Sequence, residues 1–278
     1  MRRLIVVLAD GLRPDAITPS VMPSLFALGA SYTIALRART VRPSATVAAL
    51  TSLATGVAPE THRLVEPGLE FLPSVGRLRP VARELARAGV ATDIVTGALD
   101  ITALPVAWAL ASAAGARRVL PAGKQARHTA AAAASLLDRH ADAGEASLVF
   151  VYLPDCDRAG HRDGWMSAAY LAAAAEIDTG IGVLSSWTDD AVILVLADHG
   201  GGGVTPCDHD EPHAINDHIP LIVAGAGVTR RHLLTRTVSI LDVPATILWW
   251  FGAAIPSQYE GRPLSEAFAA STPEPVAA

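Results

Sequence analysis

The chain is poor in cysteine, and its basic residues are almost all arginine. Cys156 and Cys207 are the only two cysteines among 278 residues, which is too few for a disulfide framework. We expect two thiols in a reducing compartment, with a disulfide or an extra metal ligand as the alternatives. Lys124 is the only lysine, and the formal net charge is −5. Because nucleic-acid binding needs a basic surface, no binding to a nucleic-acid duplex is expected.

Long apolar runs are also missing from the sequence. No run approaches the roughly 20 apolar residues of a transmembrane helix, so no membrane association is expected. The first apolar run, LIVVLA at 4–9, is shorter than the core of a signal peptide, which has about 7–15 residues. We interpret this run as a strand and predict a cytoplasmic protein. The sequence leaves open whether the chain forms a homo-oligomer.

Apolar runs alternate with helix-like segments along the chain. Hydrophobic residues make up 51% and charged residues 18%, a composition that supports a large core. Strand-like runs lie at 4–9, 91–96, 147–153, 191–197 and 220–224, and helix-like runs lie at 83–89, 128–140, 166–187 and 242–252. This alternation predicts an α/β fold, with a mostly parallel central sheet and helices on both faces. We expect one catalytic domain over 1–267 and a flexible tail at 268–278. Within the domain, 57–80 and 98–122 would form loops or a small cap.

Three of the apolar runs end in aspartate, at Asp10, Asp157 and Asp198. The carboxyl ends of parallel strands meet at one edge of a sheet, where ligands bind. Three carboxylates at that edge predict a metal site. Two of these aspartates also have a simpler interpretation, since Asp10 could cap a helix and Asp198 could belong to a turn.

Histidines follow two of these aspartates closely. His161 lies four residues after Asp157, His199 is adjacent to Asp198, and His209 comes ten residues later. Carboxylate oxygens and imidazole nitrogens together suit zinc, or manganese and related ions. Two such groups allow two ions about 3.5–4 Å apart, which can clamp a phosphoryl group. His213 and His218 lie in the same stretch, and residue type alone does not choose among these histidines.

Thr46 is a candidate nucleophile. It precedes VAALTSLAT, which predicts a helix, and the N-terminus of a helix attracts anions. A threonine hydroxyl is a weak nucleophile, and a bound divalent cation would activate it. The alternative is that Ser44 or Thr46 only caps this helix.

These motifs together resemble the alkaline phosphatase superfamily, in particular its type I phosphodiesterase/nucleotide pyrophosphatase branch. The resemblance is carried by VVLADGLRPD, the threonine segment, YLPDCDRAGHRDG, LADHGG and IPLIVAGAGV, in this order. It implies an alkaline-phosphatase-like fold, a small phosphate-ester substrate and two divalent metal ions, with Zn²⁺ favoured and Mn²⁺ as the alternative.

The resemblance also implies roles for individual residues. One metal would be held by Asp10, Thr46, Asp198 and His199, and the other by Asp157, His161 and His209. Thr46 would be the nucleophile and would form a phospho-threonine intermediate. The family's spacing before the strand IPLIVAG favours His209 as the last ligand, and His213 stays as the alternative.

The sequence departs from the family near the nucleophile. Nucleotide pyrophosphatases carry an asparagine three residues after it, where this chain has Ala49. The backbone N–H of Val47 could replace that donor. Sulfatases have proline and arginine at positions that are Ala48 and Leu50 here, which disfavours sulfatase chemistry. We also expect Trp165 near the mouth of the site, with ordinary helix packing as the alternative.

The preferred function is a metal-dependent phosphodiesterase. No arginine lies on the helix after Thr46 to pair with a monoester dianion, although Arg42 lies upstream. The alternatives are a phosphomonoesterase or phosphonate hydrolase of the same superfamily, a mutase-like phosphoryl transferase, and a non-catalytic phosphate- or metal-binding protein.

Overall fold

The computed structural model describes residues 1–66, 75, 77–99 and 103–269, without the side chains of 103–107. In that part of the chain, nine strands form one sheet. They are β1 (Arg3–Ala9), β2 (Thr33–Arg39), β3 (Ala91–Thr96), β4 (Arg118–Pro121), β5 (Ser147–Leu153), β6 (Val192–Leu196), β7 (His218–Gly225), β8 (His232–Leu234) and β9 (Val238–Ser239).

Ten α-helices connect these strands in the described residues. They are α1 (Pro23–Ser31), α2 (Thr46–Thr55), α3 (Pro59–His62), α4 (Val81–Arg87), α5 (Ala103–Ala114), α6 (Ala126–Asp142), α7 (Asp155–Asp163), α8 (Ala168–Ser185), α9 (Ala214–Asp217) and α10 (Asp242–Phe251). No helix among the described residues is long and apolar enough to cross a membrane.

The sheet is mostly parallel, as predicted. Its strand order is β4-β3-β5-β1-β6-β7-β2-β8, and β9 pairs with β2. Only β7 runs antiparallel to its neighbours β6 and β2. The central strand β1 pairs in parallel with β5 on one side and β6 on the other. The carboxyl ends of these three strands therefore meet at one edge.

Helices cover both faces of the sheet, which confirms the predicted architecture. One layer contains α1, α6, α7 and α8, and the other contains α2, α4, α5 and α10. The side chains of β1 are buried from Leu4 to Ala9, because a strand in the middle of a covered sheet is apolar on both faces. This double burial explains why the apolar runs were recognisable in the sequence.

The described part of 98–122 is more regular than expected. It holds α5 and the edge strand β4, which pairs in parallel with β3. Loops or a separate cap were the wrong interpretation for this part. The short strand RVLP is only half-buried, so it lacks the continuous apolar pattern of a central strand. Most of 67–76 and of the tail 268–278 lies outside the described residues, and the domain limit at 267 stays a prediction.

Candidate metal centre

The three aspartates lie together at the edge formed by β5, β1 and β6. Asp10 directly follows β1, and Asp198 lies two residues after the end of β6. Asp157 lies in the first turn of α7, the helix that follows β5. The backbone N–H of Asp157 donates to the carbonyl of Asp10 at 3.0 Å, which ties the start of α7 to the end of β1. The strand order thus assembles carboxylates that are distant in sequence.

Gly11 permits this close approach of β1 and α7. Its φ is +67°, and a Cβ there would lie 2.9 Å from the Cα of Asp157. A residue with a side chain would be strained in this conformation and would collide with the α7 backbone. Asp198 is fixed to the same turn, because its Oδ1 accepts from the N–H groups of Gly11 at 3.1 Å and His199 at 3.0 Å.

Histidine and aspartate side chains form two neighbouring groups. Asp10, Asp198 and His199 make the first group, and Asp157, His161 and His209 make the second; within each, the potential ligand atoms lie within 4.8 Å of one another. The rings of His199 and His209 stack with centroids 3.8 Å apart, so the two groups are adjacent. The structure therefore brings together the six aspartates and histidines that the resemblance implied.

All three histidines are oriented in the same way. Each ring directs Nδ1 at a backbone carbonyl, which sets Nδ1 as the donor and leaves Nε2 for the site. The acceptors are the carbonyls of Gly200 for His199 at 2.8 Å, Ser44 for His209 at 2.6 Å and Cys207 for His161 at 3.0 Å. Nε2 of His209 and Nε2 of His161 lie 3.2 Å apart. Two nitrogen lone pairs at this distance need a proton or a cation between them.

One oxygen of each aspartate is buried without a hydrogen-bond partner in the described residues: Asp10 Oδ1, Asp157 Oδ1 and Asp198 Oδ2. Two of them lie beside Nε2 of His199, Asp10 Oδ1 at 3.4 Å and Asp198 Oδ2 at 3.5 Å. A buried carboxylate oxygen is costly unless it is paired or coordinates a metal. The donor set and its orientation fit divalent cations, and oxygen and nitrogen together suit zinc.

Thr46 joins this cluster from the start of α2. Its Oγ1 lies 3.1 Å from Nε2 of His199. Ala45 occupies the N-cap position of α2 and makes no side-chain cap. The Ser44 hydroxyl donates instead to the carbonyl of His209 at 2.8 Å. The interpretation in which Ser44 or Thr46 only caps the helix is therefore wrong.

Burial and mutual repulsion shift the pKa values of the carboxylates. Burial raises the pKa of Asp10 well above its usual value, and the charges of Asp198 and Asp157 raise it further. Burial also acts to raise the pKa of Asp157, but the nearby imidazoles of His161, His199 and His209 lower it overall. The Asp157 carboxylate, whose Oδ1 lies 3.4 Å from Nε2 of His161, raises the pKa of His161 to about 9. In the metal-free protein a proton on His161 thus takes the place of a cation.

His209, and not His213, lies beside Asp157 and His161. His213 is the N-cap of α9, and its Nδ1 accepts from the N–H of Ile215 at 3.2 Å. His218 donates from its ring to the carbonyl of Leu36. The family's spacing before the strand IPLIVAG favoured His209, and this is the histidine that the structure places in the second group.

Trp165 differs from its predicted place. Its side chain is buried, and Nε1–H donates to the carbonyl of Gly11 at 3.0 Å. The indole ring contacts His161 edge-on, with centroids 5.1 Å apart, and His209 with centroids 5.7 Å apart. Trp165 therefore supports the second group from behind, and the prediction that it lies at the mouth of the site is corrected. Trp165 is packed in the interior because it lies just before α8, a helix whose apolar face is buried.

The remaining sequence predictions near the site have mixed outcomes. Both cysteines are free thiols, with Cys156 buried and Cys207 exposed, and neither belongs to the two groups. Ala49 is fully buried and offers no side-chain donor. Val47 lies in the first turn of α2 and is half-buried; its role as an oxyanion donor stays a prediction.

Sequence reasoning missed Tyr152 and Asn216. The Tyr152 hydroxyl donates a hydrogen bond to Oδ2 of Asp10. The amide of Asn216 donates to the carbonyl of His209 at 3.1 Å and accepts from the N–H of Gly203 at 3.0 Å. The signal for Tyr152 was a polar group next to the last position of an apolar strand. Asn216 carried no such signal, because it acts through the backbone of a distant loop.

Comparison with known proteins agrees with this architecture. The family model described as type I phosphodiesterase / nucleotide pyrophosphatase matches residues 4–69 and 81–237. No curated protein matches the chain.

Several solved structures share the fold. The phosphonate monoester hydrolase SpPMH from Silicibacter pomeroyi superposes with a TM-score of 0.71 at 18% identity, covering 96% of this chain and 76% of the other. The lipoteichoic acid synthase LtaP from Listeria monocytogenes superposes with a TM-score of 0.71 at 14% identity, covering 94% of this chain and 74% of the other. A protein in the alkaline phosphatase superfamily from Vibrio parahaemolyticus superposes with a TM-score of 0.71 at 15% identity, covering 96% of this chain and 70% of the other.

The family-model match and the shared fold place the chain in the alkaline phosphatase superfamily, whose members depend on divalent metals. Within that superfamily, the chain belongs to the type I phosphodiesterase / nucleotide pyrophosphatase family. It is a hydrolase that acts on phosphoric ester bonds.

Proposed function

We propose that this protein is a phosphodiesterase that uses two divalent cations, with Zn²⁺ favoured over Mn²⁺, and forms a phospho-threonine intermediate on Thr46. The observation that carries the proposal is that three buried carboxylate oxygens have no hydrogen-bond partner in the described residues, while the histidine Nε2 atoms face the same site and the Thr46 hydroxyl lies 3.1 Å from one of them. Asp10, Asp198, His199 and Thr46 would hold one cation. Asp157, His161 and His209 would hold the other.

The cations, when bound, would acidify the Thr46 hydroxyl and neutralise charge on the phosphoryl oxygens. Oγ1 of Thr46 then attacks phosphorus in line, a P–O bond forms to Thr46, and the bond to the ester oxygen breaks. The Thr46 proton passes to solvent, and the leaving oxygen takes up a proton. Water attacks the phospho-threonine from the opposite side, which releases the phosphate monoester and restores the hydroxyl.

Neighbouring residues position the Thr46 hydroxyl and a backbone donor for this reaction. His199 holds Oγ1 through Nε2, and the His199 ring is itself fixed by its bond to the carbonyl of Gly200. The N–H of Val47, in the first turn of α2, is the chain's own candidate donor to the phosphoryl oxygen. Backbone donors at a helix start suit the developing negative charge.

Charge near Thr46 favours a substrate with a single negative charge. Arg42 lies close in sequence, but Asp217 engages it, with Arg42 Nε 3.0 Å from Oδ2 of Asp217. Arg13 is likewise paired with Asp15. A monoester dianion would gain from an uncommitted guanidinium, whereas a diester needs less positive charge.

A phosphonate monoester carries the same single charge as a diester. It is therefore the second candidate substrate, and the name of the similar Silicibacter pomeroyi protein points to the same chemistry. Cytoplasmic location and the absence of nucleic-acid binding remain proposals from composition, and the oligomeric state stays open.

The deciding experiment compares three aryl esters after loading with Zn²⁺ or Mn²⁺: bis-p-nitrophenyl phosphate, p-nitrophenyl phenylphosphonate and p-nitrophenyl phosphate. We expect the first to be hydrolysed with the highest kcat/KM. Superior turnover of the monoester would reverse the substrate ranking, and phosphoryl transfer to a sugar phosphate in place of water would indicate a mutase.

Thr46→Ala tests the nucleophile, with Thr46→Ser as the matched control that keeps a hydroxyl. Thr46→Ala should retain both metals and lose turnover, and mass spectrometry of rapidly quenched wild-type protein should find the phosphoryl group on Thr46. Normal turnover by Thr46→Ala would refute this role. Two bound metals without turnover of any ester would favour a binding protein.

A further inference from the structure

Two strands inside the sheet have unexpectedly accessible side chains on one face. On β5, Val149, Val151 and Leu153 are fully buried, whereas Phe150 and Tyr152 are only half-buried. Ile94 of the neighbouring strand β3 is also half-buried. Strands with partners on both sides and helices over both faces should bury both sets of side chains. The accessible set must therefore face a space that the helices do not fill.

That space is a cavity of about 550 Å³ between this face of the sheet and the helices α2, α4, α5 and α10. Its volume lies in the range of small-molecule pockets, about 300–1,000 Å³. None of the described residues that line it is charged, and aliphatic side chains make up most of the described wall. Such a wall offers little hydrogen bonding to a nucleotide base or a sugar, and it suits a hydrocarbon.

The cavity extends to the residue that we propose as the nucleophile. Thr46 and Tyr152 both line it, and these residues also contact His199 and Asp10 of the first metal group. A substituent on a phosphorus atom attacked by Thr46 therefore has direct access to the apolar wall.

Two independent measures give the depth of the cavity. Along β5 the lining runs from Tyr152 to Leu148, four residues and thus about 13 Å at the rise of a parallel strand. Along α2 it runs from Thr46 to Ala54, which is about 12 Å at the rise of an α-helix. An extended alkyl chain advances about 1.3 Å per carbon, from the C–C bond length, so this depth accommodates about ten carbons.

We propose that the cavity binds an unbranched hydrocarbon chain of the substrate, so that the preferred ester is an alkyl phosphodiester or alkyl phosphonate. This inference rests on the proposed function, because it identifies the chemical class of the group attached to phosphorus. The chain lies along Ile94 and Phe150, and its end reaches Thr92 and Leu148.

The test is a series of p-nitrophenyl alkyl phosphates from methyl to decyl, each below its micelle-forming concentration. For the wild-type protein kcat/KM should rise about fourfold per added methylene, which corresponds to about 0.8 kcal/mol, until the cavity is filled. A flat series would overturn the inference.

Variants at the deep end locate the chain. Leu148→Phe adds bulk inside the cavity and should lower the decyl-to-methyl ratio of kcat/KM about 15-fold, the loss expected for roughly two methylenes. Thr92→Leu is the second variant, and it also removes a buried hydroxyl that has no partner in the described residues. The matched control is Val183→Phe, on an exposed position of α8, which should keep the wild-type ratio. An unchanged ratio in both folded deep-end variants would overturn the inference.

A binding measurement separates this inference from the proposed function. Alkanols of increasing length should displace anilinonaphthalene sulfonate from wild-type protein, and less effectively from Thr92→Leu. Chain-length-dependent displacement without hydrolysis of any ester would support the cavity and refute the enzyme activity. Rapid hydrolysis of the methyl ester with no dependence on alkyl length, and no displacement by alkanols, would support the enzyme activity and refute the role of the cavity.

Discussion

Metal binding at the second group should depend steeply on pH, because a proton competes with the metal for His161. The neighbouring Asp157 carboxylate, 3.4 Å from Nε2, raises the pKa of His161 to about 9, so this imidazole is charged at neutral pH in the metal-free protein. A metal ligand must be deprotonated. Binding at pH 7, two units below this pKa, must remove that proton, which lowers the apparent affinity about 100-fold, or about 2.7 kcal/mol, relative to the fully deprotonated imidazole well above pH 9.

The direction of this pH dependence follows from the protonation state of His161 that the metal requires. The neutral imidazole is the ligand, so affinity increases with pH up to about 9 and then levels. Burial also raises the pKa of Asp10, and its proton would add to the slope at low pH. We expect slightly less than one decade of affinity per pH unit between 7 and 8.5, about 20-fold in all, from the pKa of about 9.

Isothermal titration calorimetry measures both the metal affinity and the number of protons released on binding. Zn²⁺ or Mn²⁺ is titrated into metal-free protein in two buffers with different ionisation enthalpies, which gives the number of protons released, and the titration is repeated across this pH range. His161→Gln should weaken binding and remove about one proton from the release. Affinity that stays constant from pH 7 to 8.5, with no proton release, would refute the reasoning.

Two further predictions concern residues outside the ligand set. Trp165→Phe keeps a ring beside His161 but loses the bond to the carbonyl of Gly11; we expect about 1 kcal/mol lower stability and weaker metal binding, measured by urea unfolding and by competition with a chelator. Burial lowers the pKa of His62, so the folded state favours neutral His62 and the unfolded state binds the extra proton below about pH 6.5. Stability should therefore fall from pH 7 towards pH 5 more steeply in wild type than in His62→Gln, and parallel curves would contradict this.

The strand-end aspartates could be predicted because one short-range pattern carries both the fold and the site. Buried parallel strands leave continuous apolar runs, and the residue that follows each run lies at the shared edge. Residue type alone could not choose His209 over His213, and only the family's spacing before the strand IPLIVAG favoured His209. That choice depends on the carbonyl of Ser44, which orients the His209 ring from 165 residues away.

The cavity could not be predicted, since its wall comes from separate elements of both the sheet and a helical layer. Phe150 and Ile94 have the same apolar character as their fully buried neighbours, and alternation along a strand does not reveal which face lacks a covering side chain. The misplacement of Trp165 has a related cause. An aromatic residue near a ligand can contact substrate or support the ligand from behind, and only its hydrogen-bond partner distinguishes these roles.

Tyr152 contacts both the metal site and the cavity, and mutation should separate the role of its hydroxyl from the role of its ring. The hydroxyl donates to Oδ2 of Asp10, while the residue also lines the cavity. Tyr152→Phe removes only the hydroxyl, so metal affinity should fall by 10-fold to about 100-fold, as for other outer partners of metal ligands. The decyl-to-methyl ratio of kcat/KM, measured with saturating metal, should remain that of wild type, because the ring stays.

Leu148→Phe is predicted to behave in the opposite way, with a reduced ratio and normal metal affinity. The two effects should add in the double variant, since Tyr152 and Leu148 are separated by about 13 Å along β5. If Tyr152→Phe instead reduced the ratio while leaving metal affinity intact, the hydroxyl would be acting on the substrate chain. The assignment of Asp10 as a metal ligand held by Tyr152 would then be wrong.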